Sequence, residues 1–277
     1  MRLAVSNIAW PAEADDEIAG LLTELGVHAI EVAPTKRWPN PSMATPEDAK
    51  AYRAAWEGRG LRIVSMQSLL FGRDDLVIFG AERKRAETLE YLRRIMVLAS
   101  ALGAGPLVFG SPRNRRVESL PAAGVRRIAV EFFGALGDAA TASGVQFCLE
   151  PNPPEYGADF LTTSSAAVGL LAQIRNPGLG LHLDAAAMTL ASERPAVAIA
   201  AAMPWLRHFH ASEPYLAPIG TGGTEHGAFA TALATEGYQG WISIEMRAVE
   251  GAAAAVAAVA AVADAVRRVQ DAYALVI

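Results

Sequence analysis

The stretch Val145-Gln146-Phe147-Cys148-Leu149-Glu150-Pro151-Asn152 is a β-rich apolar run that ends on a carboxylate and is stopped by a proline. Three later stretches repeat the arrangement. Leu179–Asp184 ends in Leu181-His182-Leu183-Asp184, Leu206–His210 ends in Arg207-His208-Phe209-His210, and Trp241–Glu245 ends in Ile242-Ser243-Ile244-Glu245. Glu150, Asp184, His210 and Glu245 follow one another at intervals of 34, 26 and 35 residues. Each interval is about one strand plus a returning helix, so the four side chains should emerge side by side from neighbouring parallel strands.

The same rhythm runs back to the N-terminus. Strands are expected at Leu3–Ile8, Ala29–Ala33, Leu61–Gln67 and Leu107–Gly110. Helices follow each of them, opening at Asp15-Asp16-Glu17, at Thr45-Pro46-Glu47-Asp48, near Glu82 and near Ala122, with Gly26, Gly103 and Gly144 as stops. Thr45 offers an N-cap oxygen, Pro46 suits the first helical position, and the two acids suit the positive end of the helix. In the second half, helices are expected at Ser164–Ile174, Pro195–Ala202 and Gly227–Glu236, and an alanine-rich one closes the chain. Eight strand–helix units with no linker predict a single α/β domain over 1–277, a (β/α)8 TIM barrel, because the last strand can pair with the first and leave no edge. An open doubly wound sheet would carry a glycine-rich turn after strand one, where this chain has Ala9-Trp10-Pro11. The run Gly220-Thr221-Gly222-Gly223 comes late, lacks a phosphate-binding lysine, and reads as a loop.

Composition narrows the function. Of 277 residues, 52% are hydrophobic and 19% charged, enough apolar side chain for a large core. The net charge of -5 disfavours a general nucleic-acid binder. The one cysteine, Cys148, permits neither an intrachain disulfide nor a cysteine metal cluster, and a reducing cytoplasm fits. The tail Gly251–Ala263 is too alanine-rich to read as a membrane span. No membrane and no nucleic acid are therefore expected among the partners; homo-oligomers are compatible with everything above.

In a barrel, catalytic groups gather at the C-terminal ends of the strands. Three carboxylates crowded there repel one another, and a divalent cation resolves that conflict. Taken singly, each acid could be a solvated strand end; four ligand types in phase with four strands favour one metal held by Glu150, Asp184, His210 and Glu245. Three oxygens and one imidazole make a hard site, which ranks Mn2+ first, with Mg2+, Co2+, Zn2+ or Fe2+ as alternatives. Two octahedral positions would remain for adjacent oxygens of a substrate. Gln67, at the end of strand three, is a candidate for a substrate hydroxyl. His182 and His208 share an inward face with the ligands, either as substrate contacts or as buried barrel-layer histidines. Glu31 either meets substrate or pairs with a basic residue. The loop Gly110-Ser111-Pro112-Arg113-Asn114-Arg115-Arg116 could hold a phosphate or carboxylate through Arg113 and Arg115, and Arg247 follows strand eight. Trp10 could stack on a sugar ring or anchor a loop.

These segments resemble the sugar phosphate isomerase/epimerase superfamily, the xylose-isomerase-like barrels, which include ketose 3-epimerases, hydroxypyruvate isomerase and inosose dehydratase. The matching runs are Leu149-Glu150-Pro151, Leu183-Asp184, His208-Phe209-His210-Ala211-Ser212-Glu213 and Gly237-Tyr238-Gln239-Gly240-Trp241-Ile242-Ser243-Ile244-Glu245. The resemblance implies a metal-dependent isomerase or epimerase of a sugar or sugar-derived keto/hydroxy compound. Glu150 and Glu245 would move the proton through a metal-bound enediolate, and Asp184 and His210 would hold the metal. Two departures stand out. Ketose 3-epimerases carry a histidine where this chain has Ala187 and an arginine where it has Leu216, both contacting substrate oxygens. The resemblance therefore also admits a lyase or dehydratase acting on a keto-sugar or cyclitol, and a modified-sugar substrate. Endonuclease IV enzymes share the barrel but need a histidine-rich zinc cluster, and this chain has five histidines in all. A non-catalytic sugar-binding barrel would be expected to have lost a ligand, and none is lost.

Overall fold

The computed structural model describes residues 1–251 and 253–274. Eight parallel strands close in sequence order: β1 Arg2–Ser6, β2 Ala29–Val32, β3 Arg62–Met66, β4 Pro106–Phe109, β5 Gln146–Leu149, β6 Leu179–Asp184, β7 Leu206–Ser212 and β8 Trp241–Glu245. Closure comes from β8 pairing with β1 over Arg2↔Trp241 to Val5↔Ile244. The expected (β/α)8 barrel is therefore present. The outer layer is α1 Asp15–Glu24, α2 Pro46–Gly58, α3 Glu82–Leu102, α4 Ala122–Ser143, α5 Ser164–Ile174, α6 Ala185–Leu190, α7 Pro195–Ala202, α8 His226–Thr235 and α9 Ala254–Tyr273. No helix among the described residues is long and apolar enough to cross a membrane.

Local chemistry sets the boundaries. The cap read at Thr45 is a full capping box: the Asp48 amide donates to Thr45 Oγ1 at 3.1 Å, and the Thr45 amide donates to Asp48 Oδ2 at 3.0 Å. Strands such as Leu179–Asp184 are buried along their whole length, as parallel strands covered on both faces must be. One element was not expected. A short helix, α6, starts directly after β6, because the Asp184 carboxylate accepts the Ala187 amide at 2.6 Å. Aspartate is a strong N-cap, so the residue that ends the strand also starts the helix.

Register positions the site. A bulge at Leu181/His182 sets His182 opposite His208 and Asp184 opposite His210. On the next strand His210 pairs with Ser243 and Ser212 with Glu245. On the other side Leu149 pairs with Leu181, which leaves Glu150 level with His182. The strands tilt against the barrel axis, so these register offsets compensate the tilt and bring Glu150, Asp184, His210 and Glu245 to one mouth.

Candidate active site

One cavity of about 350 Å³ opens at the C-terminal ends of the strands, and Glu150, Asp184, His210 and Glu245 all line it. The ligand atoms of Glu150, His182, Asp184 and His210 lie within 4.8 Å of one another. His210 Nδ1 lies 3.2 Å from Glu245 Oε2 and 3.8 Å from Asp184 Oδ2. It is buried and has no hydrogen-bond partner of acceptable geometry.

The far side of His210 explains which nitrogen is left over. Glu31, fully buried on β2, accepts from His208 Nε2 at 2.8 Å and from His210 Nε2 at 2.9 Å. Ser65 donates to the same carboxylate at 2.8 Å, and Ser243 lies 3.3 Å from it. Burial raises the Glu31 carboxyl, but His210 and His208 outweigh it and hold the group well below the usual carboxylate range. An ionised carboxylate only accepts, so it fixes both rings with the proton on Nε2. His210 Nδ1 then presents a lone pair towards two carboxylates. That arrangement is repulsive unless a proton on Nδ1 or a metal cation sits between them, and a metal-binding imidazole held by a carboxylate on its other nitrogen is a common solution.

The acids report the same conflict. Burial, then Asp184 and Glu245, push Glu150 up to about 8. Burial and Glu245 push Asp184 up to about 6. Burial opposes charge on His210, yet Glu31 and Glu245 hold it well above an ordinary imidazole. Without a cation, this group of acids can relieve its repulsion only by binding protons. The donor set thus fits a divalent metal held by Glu150, Asp184, His210 and Glu245.

Close backbone approach makes room for the acids. A Cβ on Gly110, just past β4, would fall 2.0 Å from Glu150 Oε2, so no other residue leaves Glu150 where it is. Ser212 donates a short hydrogen bond to Asp184 Oδ2, and the Ala186 amide donates to Ser212 at 3.1 Å. Glu213 is buried and fully engaged: it accepts the Gly220 amide at 2.8 Å and the Thr224 amide at 2.9 Å. The glycine-rich run therefore wraps a carboxylate of its own chain, and a Cβ on Gly222 would meet that carboxylate at 2.7 Å.

Several sequence expectations need correction. Trp10 is fully buried, donates to Asp15 Oδ1 at 2.8 Å, and its carbonyl accepts from Lys36, so it anchors a loop away from the cavity. The basic loop does not face the cavity with its arginines. A 3-10 turn over Pro112–Arg115 leaves Arg113 exposed and turns Arg115 fully inward. There Arg115 donates to the Glu150 carbonyl at 2.6 Å and to Asn152 Oδ1 at 2.8 Å, which pins the end of β5. Arg116 lies 4.0 Å from Asp159. His208 and His182 lie beneath the cavity and do not line it. His208 is held by Glu31; His182 Nε2 is 3.5 Å from Glu150 Oε1, and burial keeps its ring neutral. Gln67 and Arg247 do line the cavity; Gln67 Nε2 donates to Ser6 at 2.8 Å.

The loops add what the strand-end pattern could not supply. Tyr156, after β5, and Tyr215, after β7, line the cavity and meet edge to face with ring centroids 5.7 Å apart. Ser68, Ser111, Tyr215 and Leu216 are non-glycine residues with positive φ, and all four line the cavity. Such conformations cost roughly 1–3 kcal/mol each and gather where the surroundings fix them for a use.

A sequence model of the xylose isomerase-like TIM barrel family matches residues 20–269. A curated ketose 3-epimerase of Arthrobacter globiformis is 28% identical over 158 residues, which are 56% of this chain and 54% of that protein. The chain thus matches about half the length of that relative. Among solved structures, D-psicose 3-epimerase from Clostridium cellulolyticum H10, determined with D-tagatose, superposes with a TM-score of 0.80 at 17% identity, covering 99% of each chain. The 3-keto-D-glucoside 4-epimerase of E. coli gives 0.76 at 19% identity, covering 97% of this chain and 99% of that one. At these identities the superpositions speak for the fold.

Proposed function

This chain belongs to the xylose isomerase-like TIM barrel family, and on that basis we propose that it is a divalent-metal-dependent isomerase or epimerase of a sugar or sugar-derived keto/hydroxy compound. The observation that carries the reading is the convergence of three carboxylates and the free Nδ1 of His210 on one cavity. The sequence similarity to a ketose 3-epimerase supports the same reaction class.

Glu150, Asp184, His210 and Glu245 would hold the metal, which when bound supplies positive charge that acidifies a proton next to a carbonyl. Glu150 is the stronger candidate base. It is backed by Arg115 through its own carbonyl and by His182 beside its carboxylate. Its carboxylate reaches the cavity where a substrate carbon would lie, which suits a group that must take a proton and return it. Glu245, at the end of β8, would serve the other face of the same carbon. Asp184 is held by Ser212 and the Ala187 amide and has a fixed, positional role. Gln67, through the amide N–H left over after its bond to Ser6, and Arg247 would contact substrate oxygens, Arg247 suiting an acidic group.

The reading is tested with the Gln variants, which keep shape and one ligand oxygen. Glu150→Gln and Glu245→Gln should each retain metal by elemental analysis yet lose turnover by a factor on the order of a hundred or more. In deuterium oxide the wild type should exchange one carbon-bound hydrogen of its substrate. Release of water would make the reaction a dehydration. Near-wild-type rates in both variants, with no exchange, would rule the mechanism out.

A further inference from the structure

The floor of the cavity and the rest of its lining differ in what they can offer a polyol. On the floor the polar side chains already have partners inside the protein. Gln67 donates to Ser6 and accepts from Ser68, Asn152 Oδ1 is taken by Arg115, and Ser212 by Asp184. Glu213 is taken by the Gly220 and Thr224 amides. Of the remaining lining, Ser68, Ser111 and Arg247 are polar, and Val108, Pro112, Tyr156, Tyr215 and Leu216 form an apolar and aromatic wall. A hydroxyl moved from water to such a wall without a partner costs free energy, whereas an apolar group gains there. A free sugar, with a hydroxyl on almost every carbon, is poorly matched to this wall.

The wall is also held in place. Tyr215 and Leu216 are consecutive residues at φ 61° and 60°, a conformation that neither side chain favours. Three hydrogen bonds fix it: the Tyr215 amide donates to Tyr156 Oη at 3.2 Å, the Leu216 amide to the Glu213 carbonyl at 3.0 Å, and the Arg247 amide to the Leu216 carbonyl at 2.9 Å. Tyr215 remains 61% exposed, so its ring is not spent on the protein core. The loops after β5 and β7 thus meet across the end of β6 and present an aromatic pair next to the metal-ligand set.

We infer that the substrate is a sugar derivative carrying an aromatic or other apolar substituent away from the reacting carbon, a glycoside in preference to a free sugar, with that substituent seated on Tyr156, Tyr215 and Leu216. The inference rests on the sugar-site reading above and specifies its substrate class.

Isothermal titration of the manganese-loaded protein with D-glucose and with phenyl β-D-glucopyranoside tests it. The phenyl glucoside should bind about tenfold more tightly, the scale of one aromatic contact beyond plain area burial. Asparagine tolerates positive φ, so Tyr215→Asn and Leu216→Asn should preserve the loop. Both should abolish the phenyl preference and leave metal content unchanged. Equal affinity for the two probes in the wild type, or a preference that survives both substitutions, overturns the inference. Hydrogen exchange in deuterium oxide separates it from the reaction itself. A phenyl preference that both substitutions abolish, with no exchange on phenyl 3-keto-β-D-glucopyranoside, upholds the ligand class and removes the epimerase reading. Turnover of D-fructose or D-psicose as efficient as that of the aryl keto-glucoside does the reverse.

Discussion

The two halves of the barrel do different work. β5 to β8 carry Glu150, Asp184, His210 and Glu245 at or next to their C-terminal ends, and these reach the cavity directly. β1 to β4 send Gln67, Ser68, Val108, Gly110, Ser111 and Pro112 to its lining, and their charged groups lie beneath or behind it: Glu31 under the histidines and Arg115 behind Glu150. One half carries the charge that a metal would meet, and the other fixes the tautomer, the approach and the backbone that aim it. A site of crowded like charges is stable only when both are present, so the two halves should respond differently to metal, to pH and to substitution.

Metal removal should show the largest effect, and only through the second half. Glu150 and Asp184 bind protons more tightly in the folded chain than at their ordinary values of 4.5 and 3.8. The folded state therefore holds more protons than the unfolded state, and the metal-free protein loses stability as pH rises from about 4 to about 8. His210, raised well above 6.5, adds the same sign: its contribution is full below that value and fades as pH rises. Glu31 has the opposite sign, but its loss lies at acid pH, below this window. Divalent metal replaces the protons. At a thousandfold excess over its dissociation constant it should stabilise by about 4 kcal/mol, or roughly 8–16 °C in Tm at the usual sensitivity of a large domain. Thermal unfolding at pH 5 and pH 8, with chelator and with manganese, measures it. A metal effect no larger at pH 8 than at pH 5 would contradict this account of the acids.

A smaller effect should come from the first half, through Glu31→Gln. An amide cannot accept from both Nε2–H groups, because one of its arms donates. Whichever histidine faces the NH2 must shift its proton to Nδ1, and for His210 that removes the lone pair aimed at the metal. Metal affinity should fall about 10–100-fold, as for other carboxylates that support a metal-binding histidine. Competition with a chromogenic chelator reads this directly. Unchanged affinity would mean that Glu31 only fills space.

The second half was legible in the sequence because strand periodicity is local. A run such as Ile242-Ser243-Ile244-Glu245 ends on its ligand, and the same reading on four strands placed all four ligand candidates on one cavity. The eight-unit rhythm predicted the closed barrel for the same reason. Support was less legible, since it depends on pairs far apart in the chain: Glu31 meets His208 and His210 across the barrel, at a separation of 177 and 179 residues. The arginine loop was misread because residue type says nothing about which way a 3-10 turn points a side chain. Tyr156 and Tyr215 were missed because their placement depends on loop backbone, including two positive φ angles that no local pattern announces.

The misread loop gives the finest test of the division. Arg113 and Arg115 stand two positions apart with the same chemistry, yet one is exposed and the other buried without solvent contact. Arg115→Ala removes two charge-assisted hydrogen bonds and strands the Glu150 carbonyl and Asn152 Oδ1, at a cost of about 1–3 kcal/mol. Because the Glu150 backbone is what it holds, activity should fall along with stability. Arg113→Ala touches none of this, so it should change stability by no more than about 0.5 kcal/mol. It should also leave the Michaelis constant for neutral and acidic sugars alike, since it does not line the cavity. Arg247→Ala supplies the contrast, because that guanidinium is at the rim and any preference for acidic substrates should pass through it. If Arg113→Ala weakens acidic substrates and Arg247→Ala does not, the loop closes over the cavity when substrate binds, and the first half contributes charge to the site after all.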